Sequence, residues 1–167
     1  MARVEDAAAF VLEQCGTITT FKLHKLLYYA QGWALAWDGA KLFDAKIKAY
    51  DNGPCVSTLF HEHRGQRHVS RWPQGDSARL APEEVDTIRA VLEMYGRKTP
   101  AELVDMTHAE PPWLAARAAE RDEITIESMR AYFATLATDV KPARAEAQGM
   151  GRRLADFLDG PDDGGDS

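Results

Sequence analysis

One segment, Phe21 to Trp37, sets the strongest limit on how this chain can fold. At helical spacing Leu23, Leu26, Ala30, Trp33, Ala34 and Trp37 share one side, while His24, Tyr28 and Leu35 fall on the other. A helix that is apolar or aromatic over most of its circumference has to be surrounded by protein, so this segment is the expected central helix. Thr19 or Thr20 can cap its start. Its charges, Lys22 and Lys25, are confined to the first turns, where the helix dipole disfavours cations; an acidic group nearby would relieve that placement.

The rest of the chain reads as shorter elements wrapped around it. Val4, Ala8, Val11, Leu12 and Cys15 recur at three and four, one face of a helix that Gly16 closes. After the turn at Asp38-Gly39, Ile47 to Tyr50 alternates apolar with polar as a half-buried strand does. Asn52-Gly53-Pro54 punctuates the chain, because Asn and Gly tolerate positive φ and Pro removes a donor. A helix over about Val56 to His63 is expected next, with Val56, Leu59 and Phe60 inward. Arg64 to Ser77 reads as a loop in which His68-Val69-Ser70 is a short strand able to pair with Ile47 to Tyr50. Pro82-Glu83-Glu84 starts a helix carried by Val85, Ile88, Leu92 and Tyr95 and stopped by Gly96. Thr99-Pro100-Ala101-Glu102 starts another in near capping-box form, ending before Pro111-Pro112. Trp113 to Ala119, and a helix from Thr125 with Ile126, Met129, Phe133 and Leu136 inward, complete the set. The expected fold is mainly α: a compact single-domain bundle of about seven helices around the central one, with at most a small two-stranded β ribbon.

Composition narrows the class. A chain of 167 residues, 45% hydrophobic and 28% charged, buries a real core in one domain. No window approaches the roughly 18 uncharged apolar residues of a membrane span. Met1 to Asp6 lacks the apolar stretch of a signal peptide, so the cytoplasm is the expected location. The two cysteines, Cys15 and Cys55, read as small buried hydrophobes and not as a disulfide framework. A net charge of -6 argues against a broad basic face for nucleic acid. The composition changes beyond Asp139, which divides the chain into a domain, 1–138, and an extension, 139–167. In the extension Met150, Leu154, Phe157 and Leu158 are spaced four, three and one, an amphipathic helix over about 143–158. Gly149 and Gly151 weaken it by about 1 kcal/mol each relative to Ala, so it is marginal alone. Asp159 to Ser167 reads as a disordered acidic tail. The extension holds seven acids against four bases, half of the net charge.

Chemistry-bearing motifs are scarce. His61 and His63, two apart on a helix, point about 200° away from each other and cannot chelate one ion. No Cys-x-x-Cys, His-Glu-x-x-His, Gly-x-Ser-x-Gly or glycine-rich phosphate loop is present, so no catalytic residue, metal or cofactor is assigned. His108 and Glu110 beside Trp113 are the nearest thing to a constellation, and they read as the end of a helix forced to turn by Pro111-Pro112. The unusual feature is aromatic: Tyr28, Tyr29, Trp33, Trp37, Trp72 and Trp113 are not all to be taken as buried, although core packing is the commoner use of any single one and large aromatics are preferred anchors of interfaces.

The run Lys22-Leu23-His24-Lys25-Leu26-Leu27-Tyr28-Tyr29-Ala30-Gln31-Gly32-Trp33 resembles the KLxKLLYYAQGW helix of the Panacea domain, the SocA-like family once described as phage-associated proteins. The resemblance continues through Leu42-Phe43-Asp44, the segment Ala49 to Val56 with its Gly53-Pro54, and Leu59-Phe60. It resumes at Leu103 to Trp113, which contains Met106-Thr107-His108 and Glu110-Pro111-Pro112-Trp113, and at Ile124 to Phe133. Asp51-Asn52 before Gly53-Pro54 and the long extension depart from commoner members.

This resemblance implies an antitoxin domain of bacterial or phage toxin–antitoxin pairs, encoded beside a toxin and neutralising it by direct contact. The family acts on unrelated toxins, including alarmone-synthetase-like growth inhibitors, and one member is an adaptor delivering its toxin to a ClpXP protease. The implied partner is a cognate toxin from an adjacent gene, in a hetero- or homo-oligomer. A ClpXP-type protease is the alternative route, and autoregulatory DNA binding through Lys22/Lys25 and Arg152/Arg153 a further one. The expected toxin-binding surface comprises Lys22, Lys25, Tyr28, Tyr29, Gln31 and Trp33, the turn Asn52-Gly53-Pro54, and Met150, Leu154, Phe157 and Leu158. Leu23, Leu26, Leu27, Gly32, Met106, Thr107, His108, Glu110 and Trp113 are expected to hold the structure of the motifs. Whether the motif helix is core or interface stays open at this point.

Overall fold

A computed structural model describes residues 1–139. Among these residues six helices surround a long central one. Helix α1, Val4–Cys15, carries Glu5 and Asp6 at its positive end and closes at Gly16, whose φ is 72°. A two-residue strand β1, Ile18–Thr19, leads into α2, Thr20–Asp38. The Thr19 hydroxyl caps α2 by accepting from the Lys22 N–H, and Gly39 ends it in the left-handed region. Leu23, Leu26, Leu27, Tyr28, Tyr29 and Ala30 of α2 are wholly inaccessible to solvent, so the central position expected from the aromatic run is the observed one.

Strands β2, Ile47–Tyr50, and β3, Gly53–Val56, form an antiparallel hairpin in register Ile47↔Val56 and Tyr50↔Gly53, closed by Asp51-Asn52. This corrects two expectations. Residues 53–56 continue as a strand instead of only turning the chain, and β2 pairs with them and not with residues 68–70. Strand β4, His68–Val69, pairs instead with β1, and β5, Glu123–Ile124, covers the other edge of β2. The β part is therefore a two-stranded and a three-stranded sheet, more than the single ribbon expected, within a fold that is mainly α.

Helix α3, Ser57–Glu62, follows the hairpin, and a 3₁₀ turn, Ser77–Arg79, leads to α4, Pro82–Tyr95. The Ala81 N–H donates to Glu84 Oε1, which fixes the start of α4. Helix α5, Pro100–His108, is capped by Thr99. Helix α6, Pro111–Ala118, begins earlier than Trp113 because both prolines fit a first turn whose N–H groups have no intrahelical acceptor. Helix α7, Ile126–Asp139, lies along α2. Their closeness depends on Gly32: a Cβ there would stand 2.1 Å from the Phe133 ring. Among the described residues no helix is long and apolar enough to cross a membrane. The expected segment with Met150, Leu154, Phe157 and Leu158 lies outside the described residues.

Candidate functional site

The two motif segments meet at a buried carboxylate. Tyr28 and Tyr29, adjacent on α2, donate their hydroxyls to Glu110 Oε1 and Oε2 at 3.1 and 2.8 Å across more than eighty residues of sequence. The Tyr132 hydroxyl of α7 lies against the same carboxylate. Tyr29 stacks on Tyr95 of α4 at 3.9 Å, and Tyr95 accepts from the Trp33 indole at 3.0 Å. Burial raises the Glu110 carboxyl above its usual range, while the hydroxyls of Tyr29, Tyr28 and Tyr132 pull it back down. Burial, followed by the Glu110 charge, raises both Tyr28 and Tyr29. Gln31 closes a second satisfied set: its Nε2 donates to the Phe43 carbonyl and its Oε1 accepts from the N–H groups of Leu42 and Phe43. Tyr28, Tyr29, Gln31 and Trp33 are thus inside the domain, and the expectation that they present an exposed face is corrected. A helix contacting α4, α5, α7 and β3 has no free side at those positions.

The other motif residues fall into place around this. Leu23, Leu26 and Leu27 are core, Met106 packs against it half-buried, and Thr107 Oγ1 donates back to the carbonyl of Leu103 or Val104. His108 stacks on Trp113 at 4.2 Å, and the Trp113 indole donates to the Tyr50 carbonyl at 2.9 Å, tying α6 to the hairpin. Lys22 Nζ donates to the Gly96 carbonyl at the end of α4.

Lys25 is different. It sits at the floor of a cavity of about 500 Å³ whose wall includes Thr20, Phe21, His24, Tyr50, Asn52, Gly53, Phe60, Arg64 and Arg67. Its side chain is 2% exposed, yet among the described residues no hydrogen-bond acceptor or carboxylate pairs with its ammonium, which lies 5.8 Å from the centre of the Phe21 ring. Gly53, at φ 103°, brings the hairpin backbone against it, so that a Cβ there would stand 2.7 Å from Lys25 Cε and 2.9 Å from Thr107 Oγ1. The motif lysine, the Gly-Pro turn and the motif threonine therefore converge on one corner. Burial pulls the Lys25 ammonium down to about 8, opposed by Cys55, which leaves it largely charged at neutral pH.

Behind the floor lies a neutral cluster. The Val56 N–H donates to His24 Nδ1 at 2.9 Å, which assigns the proton of His24 to Nε2; that atom faces His63 Nε2 at 2.7 Å. His63 then carries its own proton on Nδ1, a buried atom with no partner. Burial, then the His63 and Lys25 charges, lowers His24 to about 3, and burial lowers His63 as well. Cys55 Sγ is 3.8 Å from His24 Nε2, and burial pushes its thiol up to about 11 against the pull of Lys25. At neutral pH the group is thiol and two uncharged imidazoles whose facing nitrogens bond each other. Among the described residues no three His, Cys, Asp or Glu side chains converge as metal ligands.

Of the residues expected from sequence, the cavity brings together Lys25, Asn52 and Gly53; Pro54 is buried beside them in β3. Sequence reasoning missed Phe21, Tyr50, Phe60, Arg64 and Arg67. Phe21 precedes Lys25 by one helical turn, and that spacing was the available signal.

The class these features define is a mainly helical domain with a closed tyrosine–glutamate core and an open cationic cavity, both built from the same sequence motifs. Residues 23–114, more than half of the chain, match the family described as Antitoxin SocA-like, Panacea domain. The chain belongs to that family. No curated protein and no solved structure matches it.

Proposed function

We propose that this chain is the antitoxin of a toxin–antitoxin pair, acting in the cytoplasm and neutralising a cognate toxin by direct protein–protein contact without catalysing a reaction on it. Family membership over residues 23–114 carries the reading, since that span contains both the Glu110 core and the Lys25 floor. The contact surface we assign is the mouth of the cavity. Phe21 and Tyr50 stand there 45% and 37% exposed, and large aromatics at a concave site are favoured anchors of protein interfaces. A preformed recess also spares this chain the cost of ordering its own loops on binding.

Co-expression with the neighbouring open reading frame tests the function. That product alone should arrest growth, growth should return with this chain, and the two should co-purify. Absence of arrest, or arrest without rescue, would overturn the reading. Rescue accompanied by loss of the toxin that depends on a ClpXP-type protease would replace blocking by delivery to degradation.

A further inference from the structure

The cavity specifies what it receives. An ammonium removed from water without a counter-charge costs several kcal/mol, and proteins usually satisfy such a group or omit it. Here the side chain is 2% exposed, and its ammonium, which still reaches the cavity, makes no hydrogen bond or ion pair among the described residues. Asp51, a carboxylate at the cavity's own edge, is bound to Arg117 at 2.7 Å instead. The remaining charged groups on the wall, Arg64 and Arg67, are also cationic, against the overall -6 of the chain. His24 and His63 present no charge of their own, and Cys55 is a thiol. Between floor and mouth the wall is aromatic: Phe21, Tyr50 and Phe60.

We propose that this recess receives a carboxylate on a short apolar stem, an Asp or Glu side chain of the toxin, which pairs with Lys25 at the floor while Phe21, Tyr50 and Phe60 enclose the stem. The proposal rests on the antitoxin reading and names the chemistry of its contact. Three features favour a protein carboxylate. The floor offers one point charge rather than the several convergent donors that orient a phosphate or a small ligand. The mouth carries two exposed aromatic rings of the kind that anchor protein contacts. Arg64 and Arg67 lie where they would steer an acidic surface toward the opening. The overall acidity of the chain thus does not dictate a basic contact on its partner.

The experiment is a double-mutant cycle on the full-length chain and the product of the neighbouring reading frame, with affinity measured by calorimetry. Lys25→Met removes the charge while keeping the stem, and its melting temperature should equal or exceed that of the wild type. It should weaken the complex on the order of 100-fold, as expected when one partner of a desolvated charge pair is lost. Neutral substitution of the toxin's Asp and Glu residues, one at a time, should reveal one whose loss weakens wild-type binding equally and costs Lys25→Met nothing further. Phe21→Ala, at an exposed position, provides a second variant and should weaken binding roughly 10-fold. Unchanged affinity of folded Lys25→Met overturns the proposal, as does a weakened variant to which no toxin carboxylate couples. Acetate and inorganic phosphate, titrated into the free protein, form the other arm. Lys25-dependent binding of either, with toxin affinity indifferent to Lys25, would make the recess a small-anion site and overturn the proposal. Failure of the wild type itself to bind or rescue would strike the antitoxin reading instead.

Discussion

Of the three charged side chains buried among the described residues, Asp6, Lys25 and Glu110, the last two are treated in opposite ways. Glu110 is 8% exposed and accepts hydrogen bonds from Tyr28 and Tyr29, with Tyr132 against it; Tyr29 stacks on Tyr95, and Tyr28 and Tyr132 meet Phe133 edge-on. Lys25 is more deeply buried and makes no hydrogen bond or ion pair among the described residues, its ammonium lying over the Phe21 ring. Both lie within the residues that match the family. The contrast teaches that motif residues divide by satisfaction and not by burial: a buried group whose partners are all supplied by the chain builds the fold, and one left without a partner beside an open cavity is available to something else.

The largest effect that would break this comparison is expected at Glu110. Glu110→Ala leaves two buried tyrosine hydroxyls without their acceptor, at about 1–3 kcal/mol each, so calorimetric melting should fall by roughly 10 °C. A fall of only a degree or two would mean that water serves the hydroxyls and that the core network is as open as the cavity.

Lys25→Met is expected to act in the opposite direction. Depression of the ammonium from 10.5 to about 8 is worth about 3 kcal/mol against the folded state at neutral pH. Between those two values the unfolded chain binds more protons than the folded one, so this contribution to wild-type stability is lowest below pH 8 and recovers as pH rises toward 10.5. The variant should be more stable than the wild type at pH 7, and the difference should shrink across that window in denaturant titrations. Glu110 has the reverse slope: its carboxyl is raised, so its contribution is present below its ordinary value of 4.5 and is lost as pH rises through the folded value. A smaller loss, about 1–2 kcal/mol, is expected for Gly53→Ala, from a φ of 103° and the crowding of Lys25 and Thr107. Gly39→Ala, with positive φ but nothing within 4 Å, separates the two causes.

The central helix was legible because its aromatics surround it, and the caps at Thr19, Gly39 and Thr99 were legible because each residue has one cheap local role. The hairpin was not. Gly53-Pro54-Cys55-Val56 is buried throughout and shows no alternation, and Pro54 argues against a strand. Its tolerance follows from position: β2 is paired on its other side by β5, which leaves β3 as an edge where a missing N–H does no harm. Strands β1 and β4 are two residues each, too short to carry a period. Lys25 misled for a related reason. A lysine in the early turns of a helix reads as solvated, and it is the approach of the hairpin at Gly53, invisible in local spacing, that buries it. The acidic neighbour its placement called for is not supplied by the described residues.

The smallest expected effect is the most pointed. Phe21 is 45% exposed with its ring beside Lys25, so Phe21→Ala should change unfolding free energy by about 0.5 kcal/mol or less. It would, however, remove the part of the wall that stands between the ammonium and water. If that ring keeps Lys25 dry, the variant admits solvent to the floor and the ammonium moves back toward 10.5, which a side-chain NMR titration of isotope-labelled lysine can follow. The tyrosines around Glu110, one turn further along α2 and hydrogen-bonded to that carboxylate, should not respond. An unmoved Lys25 titration would show that Gly53 and Thr107 alone desolvate the ammonium, and the outer ring would then serve the partner and not the lysine.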